Sequence, residues 1–135
     1  MIRVLALVCL LVAAAFPAAA EEVINSFDVD IDVQQNGDIR VTEVINITAE
    51  GDQIRRGIFR ELPRFFENNG DRLRYDYDIL SVDRDGGNEP YETSTEGNAY
   101  RIRIGDPDRR LSVGEHVYEI SYRVKNQVRY FDAYD

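Results

Sequence analysis

Four arginines, Arg55, Arg56, Arg60 and Arg64, crowd one short stretch from Asp52 to Phe66 that is punctuated by glycine and proline. A guanidinium is planar, permanently charged and carries a fork of N–H donors, so such a group suits recognition of a carboxylate or phosphate. The same side chains can instead form a solvated face balanced by the many nearby Asp and Glu residues. Glu43 is the complementary oddity. It falls in the same phase as Ile39, Val41, Ile45 and Ile47, which places a carboxylate on an apolar face. A buried, unpartnered carboxylate costs several kcal/mol or takes up a proton. Three readings follow: a structural ion pair with Arg56 or Arg60, a bulge or rim position that turns Glu43 to water, or one carboxylate of a glycosidase-type pair.

A second oxygen-rich group, Asp83, Asp85, Asn88 and Glu89, offers ligands suited to calcium but lacks the spacing of a helix-loop-helix calcium site, and such stretches are more often plain turns. No metal or cofactor is assigned. The single histidine, His116, opens a strand, the only cysteine is Cys9, and no Gly-x-Ser-x-Gly elbow exists. Zinc chemistry, thiol nucleophiles and a local serine triad therefore lack support. Tyr75, Tyr77, Tyr100, Tyr118, Tyr122 and Tyr130 could offer a stacking platform for sugars, but with no tryptophan they read as core and sheet residues.

The elements that must position these groups are strands. Phe27, Val29, Ile31 and Val33 alternate with Asp28, Asp30, Asp32 and Gln34, a period of two that sets an apolar face toward a core. Gln35-Asn36-Gly37 reads as a three-residue hairpin loop with Gly37 left-handed, because only that count pairs Val33 with Ile39 and Ile31 with Val41 and keeps both apolar faces together. One strand is expected through Leu73, Tyr75, Tyr77 and Ile79. Short ones follow at Tyr91–Ser94 and Tyr100–Ile104, and a long one runs through His116–Val124, whereas Asp52–Phe66 shows no alternation. The fold class is all-β: an antiparallel β-sandwich, immunoglobulin-like or a related Greek key.

Arg3, the apolar run Val4–Phe16 and Ala18-Ala19-Ala20 form a signal-peptide pattern, too short to span a bilayer comfortably, with cleavage expected after Ala20. Residues 1–20 are thus a signal peptide and 21–135 one extracytoplasmic domain without a thiol. The chain carries 16 basic and 25 acidic residues, a formal charge of −9, which disfavours nucleic acid as a partner.

Val41-Thr42-Glu43, the block Arg55-Arg56-Gly57-Ile58-Phe59-Arg60-Glu61-Leu62-Pro63, Arg84-Asp85-Gly86 and Gly114-Glu115-His116-Val117-Tyr118 with Tyr122 resemble the N-terminal domain of a bacterial family of predicted membrane proteins, DUF2207. The resemblance spans nearly all of the mature chain. It implies a signal peptide, this exported domain and then membrane-spanning helices, with no activity to carry over. The chain itself reaches Tyr130-Phe131-Asp132-Ala133-Tyr134-Asp135 without a second apolar segment, so it reads as a fragment whose membrane association comes from a C-terminal region outside it. The functional expectation is a non-catalytic interaction or sensing domain in the cell envelope, its partner a protein or envelope component. The alternative is a hydrolase of envelope polysaccharide using Glu43. N-terminal sequencing of exported material should find Glu21 first; a membrane-held product retaining Met1–Phe16 would make the segment an anchor.

Overall fold

The computed structural model describes residues 23–128, so the expected signal peptide, Cys9, Tyr130 and the stretch to Asp135 lie outside the described residues. Ten strands account for most of the described chain: β1 (Val23–Val33), β2 (Ile39–Ala49), β3 (Ile58–Pro63), β4 (Phe65–Asn68), β5 (Asp71–Arg74), β6 (Tyr77–Arg84), β7 (Gly87–Asn88), β8 (Tyr91–Glu96), β9 (Ala99–Ile104) and β10 (Gly114–Val124). All pairings are antiparallel, which makes the protein all-β. A five-stranded sheet has the order β1-β2-β10-β6-β7, a three-stranded sheet the order β3-β9-β8, and β4 with β5 forms a separate ribbon.

The first hairpin follows from its loop chemistry. Val33 pairs with Ile39 and Ile31 with Val41. Gln34 N–H donates to Asp38 O at 2.9 Å across the loop, and Gly37 takes φ 86°, where a side chain would be strained. On the central pair, Val41 faces Tyr122, Glu43 faces Ile120, Ile45 faces Tyr118 and Ile47 faces His116. These residues, with Leu62, Ile102 and Ile104 from the three-stranded sheet, build the core between two layers.

Two expectations are corrected. The stretch from Leu73 to Ile79 is two strands, because Tyr75 N–H donates to Arg64 O at 2.8 Å and closes the β4–β5 ribbon before β6 begins. The apolar face of β1 is outside the core. Val29 is 47% and Val33 59% exposed, although both lie in register with buried residues of β2. The second layer is only three strands wide, and no residue of β1 belongs to the buried core that this layer helps to form.

The basic segment Asp52–Phe66 is also not all loop. Ile58, Arg60 and Leu62 of β3 turn inward while Phe59, Glu61 and Pro63 face water, an alternation interrupted by the arginine. Arg60 occupies an apolar phase for the same reason that Glu43 does. Its Nε lies 2.6 Å from Glu43 Oε2 and its Nη2 2.8 Å from Oε1, a two-pronged contact across the layers. Tyr122 donates its hydroxyl to Glu43 Oε1 at 2.8 Å, and burial, reinforced by Glu43 beside it, pushes that hydroxyl's pKa up so that it stays a donor. Glu43 is 1% exposed, and the hydrogen bond to it is the chief cause of the raised pKa of Arg60. Tyr77 adds a second cross-layer bond, from its hydroxyl to Pro63 O at 2.6 Å, and stacks on Tyr100 at 5.3 Å. Removing one partner of such a pair strands the other's charge, so Glu43→Gln should cost about 3 kcal/mol in urea unfolding. Glu43→Gln with Arg60→Gln should be clearly non-additive, whereas Glu43→Gln with Arg56→Gln should add simply. Additive losses with Arg60 would show that the contact contributes little.

Candidate functional site: an arginine pocket

The four arginines of the basic segment disperse. Arg55 is exposed and lies 3.5 Å from Asp52, Arg60 is committed to Glu43, and Arg64 donates to Gly97 O at 3.0 Å and lies over the Phe65 ring at 5.0 Å. Arg56 alone joins a new cluster. It lines a pocket of about 190 Å³ with Arg84, Arg109 and Arg110, alongside Asn88, Glu89 and Asp106.

Backbone contacts assemble this pocket. Gly57 and Gly105 approach so closely that a Cβ on Gly57 would sit 1.8 Å from Ile104 O, and one on Gly105 would sit 2.0 Å from Arg56 O. Both glycines also take positive φ, 144° and 125°. Only glycine fits at either position. Leu111 N–H donates to Arg55 O at 2.8 Å, which zips the segment before β3 to the segment after β9. Between them the Asp106-Pro107-Asp108-Arg109 turn is closed by Asp108 N–H donating to Asp106 Oδ1 at 2.8 Å and Arg109 N–H donating to Asp106 O at 3.2 Å. The turn presents Arg109 and Arg110 next to Arg56.

The charges around the pocket are unevenly satisfied. Arg84 is bound by Glu89 at 2.9 Å and by Asp85 at 3.2 Å. Arg56, Arg109 and Arg110 are exposed and make no ion pair among the described residues. Three arginines without an ion pair among the described residues thus line one concave spot of a protein whose formal charge is −9. Sequence reasoning singled out Arg56 but missed Arg109 and Arg110. The signal that could have found them is the arginine doublet just after an Asp-Pro turn, although its meeting with Arg56 depends on the Gly57–Gly105 contact.

The calcium candidates do not converge. Asp85 and Glu89 are turned to His116 and Arg84, while Asp83 pairs with Asn88 across the β6–β7 hairpin. Among the described residues no three His, Cys, Asp or Glu side chains stand together as a metal site would need. The two-residue Asp85-Gly86 turn, with φ of 52° and 80°, instead delivers the Asp85 carboxylate to β10. There Oδ1 accepts the Val117 N–H at 2.9 Å and Oδ2 lies 2.7 Å from His116 Nδ1. Nε2 of the same ring is 2.8 Å from Ser112 O and 3.4 Å from Ser112 Oγ.

Serine, histidine and aspartate therefore meet, but in the wrong sense for nucleophilic catalysis. With Nε2 on a backbone carbonyl, the ring is placed to donate there and is not aimed to take a proton from the hydroxyl. The arrangement staples the β6–β7 turn to β10. Partial burial pushes the Asp85 carboxyl up, yet the hydrogen bonds from His116 and from the Val117 N–H outweigh it and hold it below the usual carboxylate range. Stability from a carboxylate depressed in this way is fully present above its unfolded pKa and is lost as pH falls through the folded one. The urea midpoint should drop as pH is lowered from about 5 to about 3. Asp85→Asn should be less stable at neutral pH and flatter across that window; parallel curves for both proteins would show that Asp85 is not the group responsible.

Comparison with known proteins identifies the family. Residues 23–135 match the model described as the N-terminal domain of a predicted membrane protein, DUF2207. The chain is also 37% identical over 107 residues to the uncharacterized protein YciQ of Escherichia coli (strain K12). That alignment covers 78% of this chain and 17% of the relative, so the chain spans less than a fifth of that protein's length. No solved structure matches. The arginine block, the glycine that seats it and the Glu43-bearing strand all lie within the matched residues, and the chain belongs to the DUF2207 family of predicted membrane proteins.

Proposed function

We propose that this domain is an exported, non-catalytic interaction or sensing module on the extracytoplasmic side of a membrane-associated protein, and that the Arg56–Arg109–Arg110 pocket is its docking point for carboxylate groups of a protein or envelope component. The observation that carries the reading is the set of three arginines, without an ion pair among the described residues, that line one pocket in an acidic protein. At about 190 Å³ the pocket is smaller than the ~300–1,000 Å³ typical of small-molecule sites, so it fits an acidic side chain or a terminal carboxylate better than a whole metabolite. Arginine forks bind such groups in two-pronged fashion.

The hydrolase alternative required a carboxylate free to act. Glu43 has Arg60 and Tyr122 on its oxygens and lies inside the core, which speaks against that role. Tyr77 likewise stacks on Tyr100 across the layers and meets Tyr122 of its own sheet edge-on at 5.9 Å, so these three rings are committed to packing.

A fluorescent hexaglutamate peptide is a suitable probe. Binding should be saturable and should weaken as salt rises from about 50 to 300 mM, because charge dominates an exposed contact. The combined change Arg56→Gln, Arg109→Gln, Arg110→Gln should lower affinity about tenfold or more. Arg72→Gln, a change on the β4–β5 ribbon, should leave it unaltered. Equal loss with the ribbon variant would reduce the effect to overall charge, and no saturable binding would remove the proposed site.

A further inference from the structure

The arginine pocket is not uniformly basic. Glu89 and Asp106 line the same hollow as Arg56, Arg109 and Arg110. Strand pairing brings the two acids there: Tyr91 lies opposite Ile104 at the end of the β8–β9 ladder, and one step beyond it Gly105 N–H donates to Pro90 O at 2.8 Å. Continuing that antiparallel count sets Glu89 opposite Asp106. Like charges placed across from one another are unfavourable unless cations lie against them.

The protein's own cations satisfy these acids only in part. Glu89 is 9% exposed and has Arg84 on its Oε2 at 2.9 Å, while no hydrogen bond reaches its Oε1 among the described residues. Asp106 uses Oδ1 to accept the Asp108 N–H at 2.8 Å and makes no ion pair among the described residues. Three arginines without an ion pair and two carboxylates with an oxygen to spare thus line about 190 Å³. A ligand that is only a carboxylate would gain the arginines but bring a like charge beside Glu89 and Asp106. A ligand that is only an ammonium would meet the reverse.

Resting on the docking reading given above, we propose that the pocket selects an α-amino-carboxylate head group, its carboxylate on Arg56, Arg109 and Arg110 and its ammonium on Glu89 and Asp106. Such a head group carries both charges on a single carbon, so it answers both signs of the lining within a space too small for a whole metabolite. The arginine forks suit the planar carboxylate, and an ammonium has enough N–H donors to reach the spare oxygens of both acids. An ordinary mid-chain residue is excluded as the ligand, because peptide bonds consume both groups. The ligand is therefore a free amino acid, or one joined to an envelope component through its side chain alone.

A rhodamine-labelled peptide amide that begins with a γ-linked glutamate presents this head group and serves as the probe. It should bind saturably, and acetylating its amine should weaken binding about tenfold, although the probe then gains net negative charge for the arginines to attract. Converting its α-carboxylate to the amide should weaken binding about tenfold or more, although the probe then carries the charge opposite to that of the protein. Asp106→Asn retains an acceptor for the Asp108 N–H and should cut the acetylation penalty to about twofold. Glu89→Gln should act in the same direction, and Asp106→Asn decides alone if loss of the Arg84 contact unfolds that variant. Acetylated and parent probes binding equally, with hexaglutamate also bound, would overturn the head-group assignment and leave a plain carboxylate site. Failure of every probe, hexaglutamate included, would remove the pocket as a docking point altogether. An acetylation penalty unchanged by Asp106→Asn would likewise refute the role of the acids. Displacement of the probe by free alanine at matching concentration supports a free amino acid as the ligand, and displacement by γ-glutamyl peptides alone supports a linked one.

Discussion

The ion pair between Glu43 and Arg60 is the constraint around which the two layers are arranged. Each charge sits in the inward phase of its own strand, and each would be untenable there alone. Joined across the layers, they set which face of β3 looks at β2 and how far the three-stranded sheet can shift over the five-stranded one. Tyr122 extends the contact to β10, so the acid at the middle of the central sheet is held from two directions. The arrangement also accounts for an asymmetry: β3 is drawn over β2, and the arginine that does so lies above the Phe27 ring at 5.4 Å, at the boundary where coverage of the sheet ends.

Commitment of Arg60 to the interior redistributes the rest of the basic segment. Once β3 is positioned by that contact, Gly57 falls against Gly105, and the residue before it, Arg56, is carried to the arginine doublet after the Asp106-Pro107 turn. Structure and candidate site are thus consecutive parts of one stretch of nine residues, with alternating duties: an arginine for the surface, a glycine for the seam, an arginine for the core.

Much of the fold is legible in the sequence because its signals are local. Period-two alternation marks β1, β2 and β10, and the loop count at Gly37 determines a register that the structure reproduces from Val33 back to Ser26, where a bulge shifts it by one. The phase of Glu43 points it inward, but only the structure decides between a buried pair and a bulge that turns it to water. What could not be read is everything that depends on which layer covers which strand. β1 carries an inward pattern as clear as that of β2, yet no layer lies over it within the described residues. Arg60 hid the strand character of β3 by breaking its alternation. The pocket joins residues of three separated segments, and the His116 staple joins a turn to a strand 31 positions away; neither leaves a periodic trace.

The central position of β10 beside β2 has a consequence for how the protein is made. Tyr122 and Glu43, neighbours in the finished sheet, are 79 residues apart in the chain. At roughly 5–20 residues per second, the first hairpin emerges several seconds or more before its other neighbour exists. During that interval β2 displays a bare apolar row with a lone carboxylate in it, and long-range pairings of this kind are intrinsically slow to close. In that window Glu43 is an asset, since a charge in the middle of the row discourages one nascent hairpin from adhering to another until β10 pairs with β2.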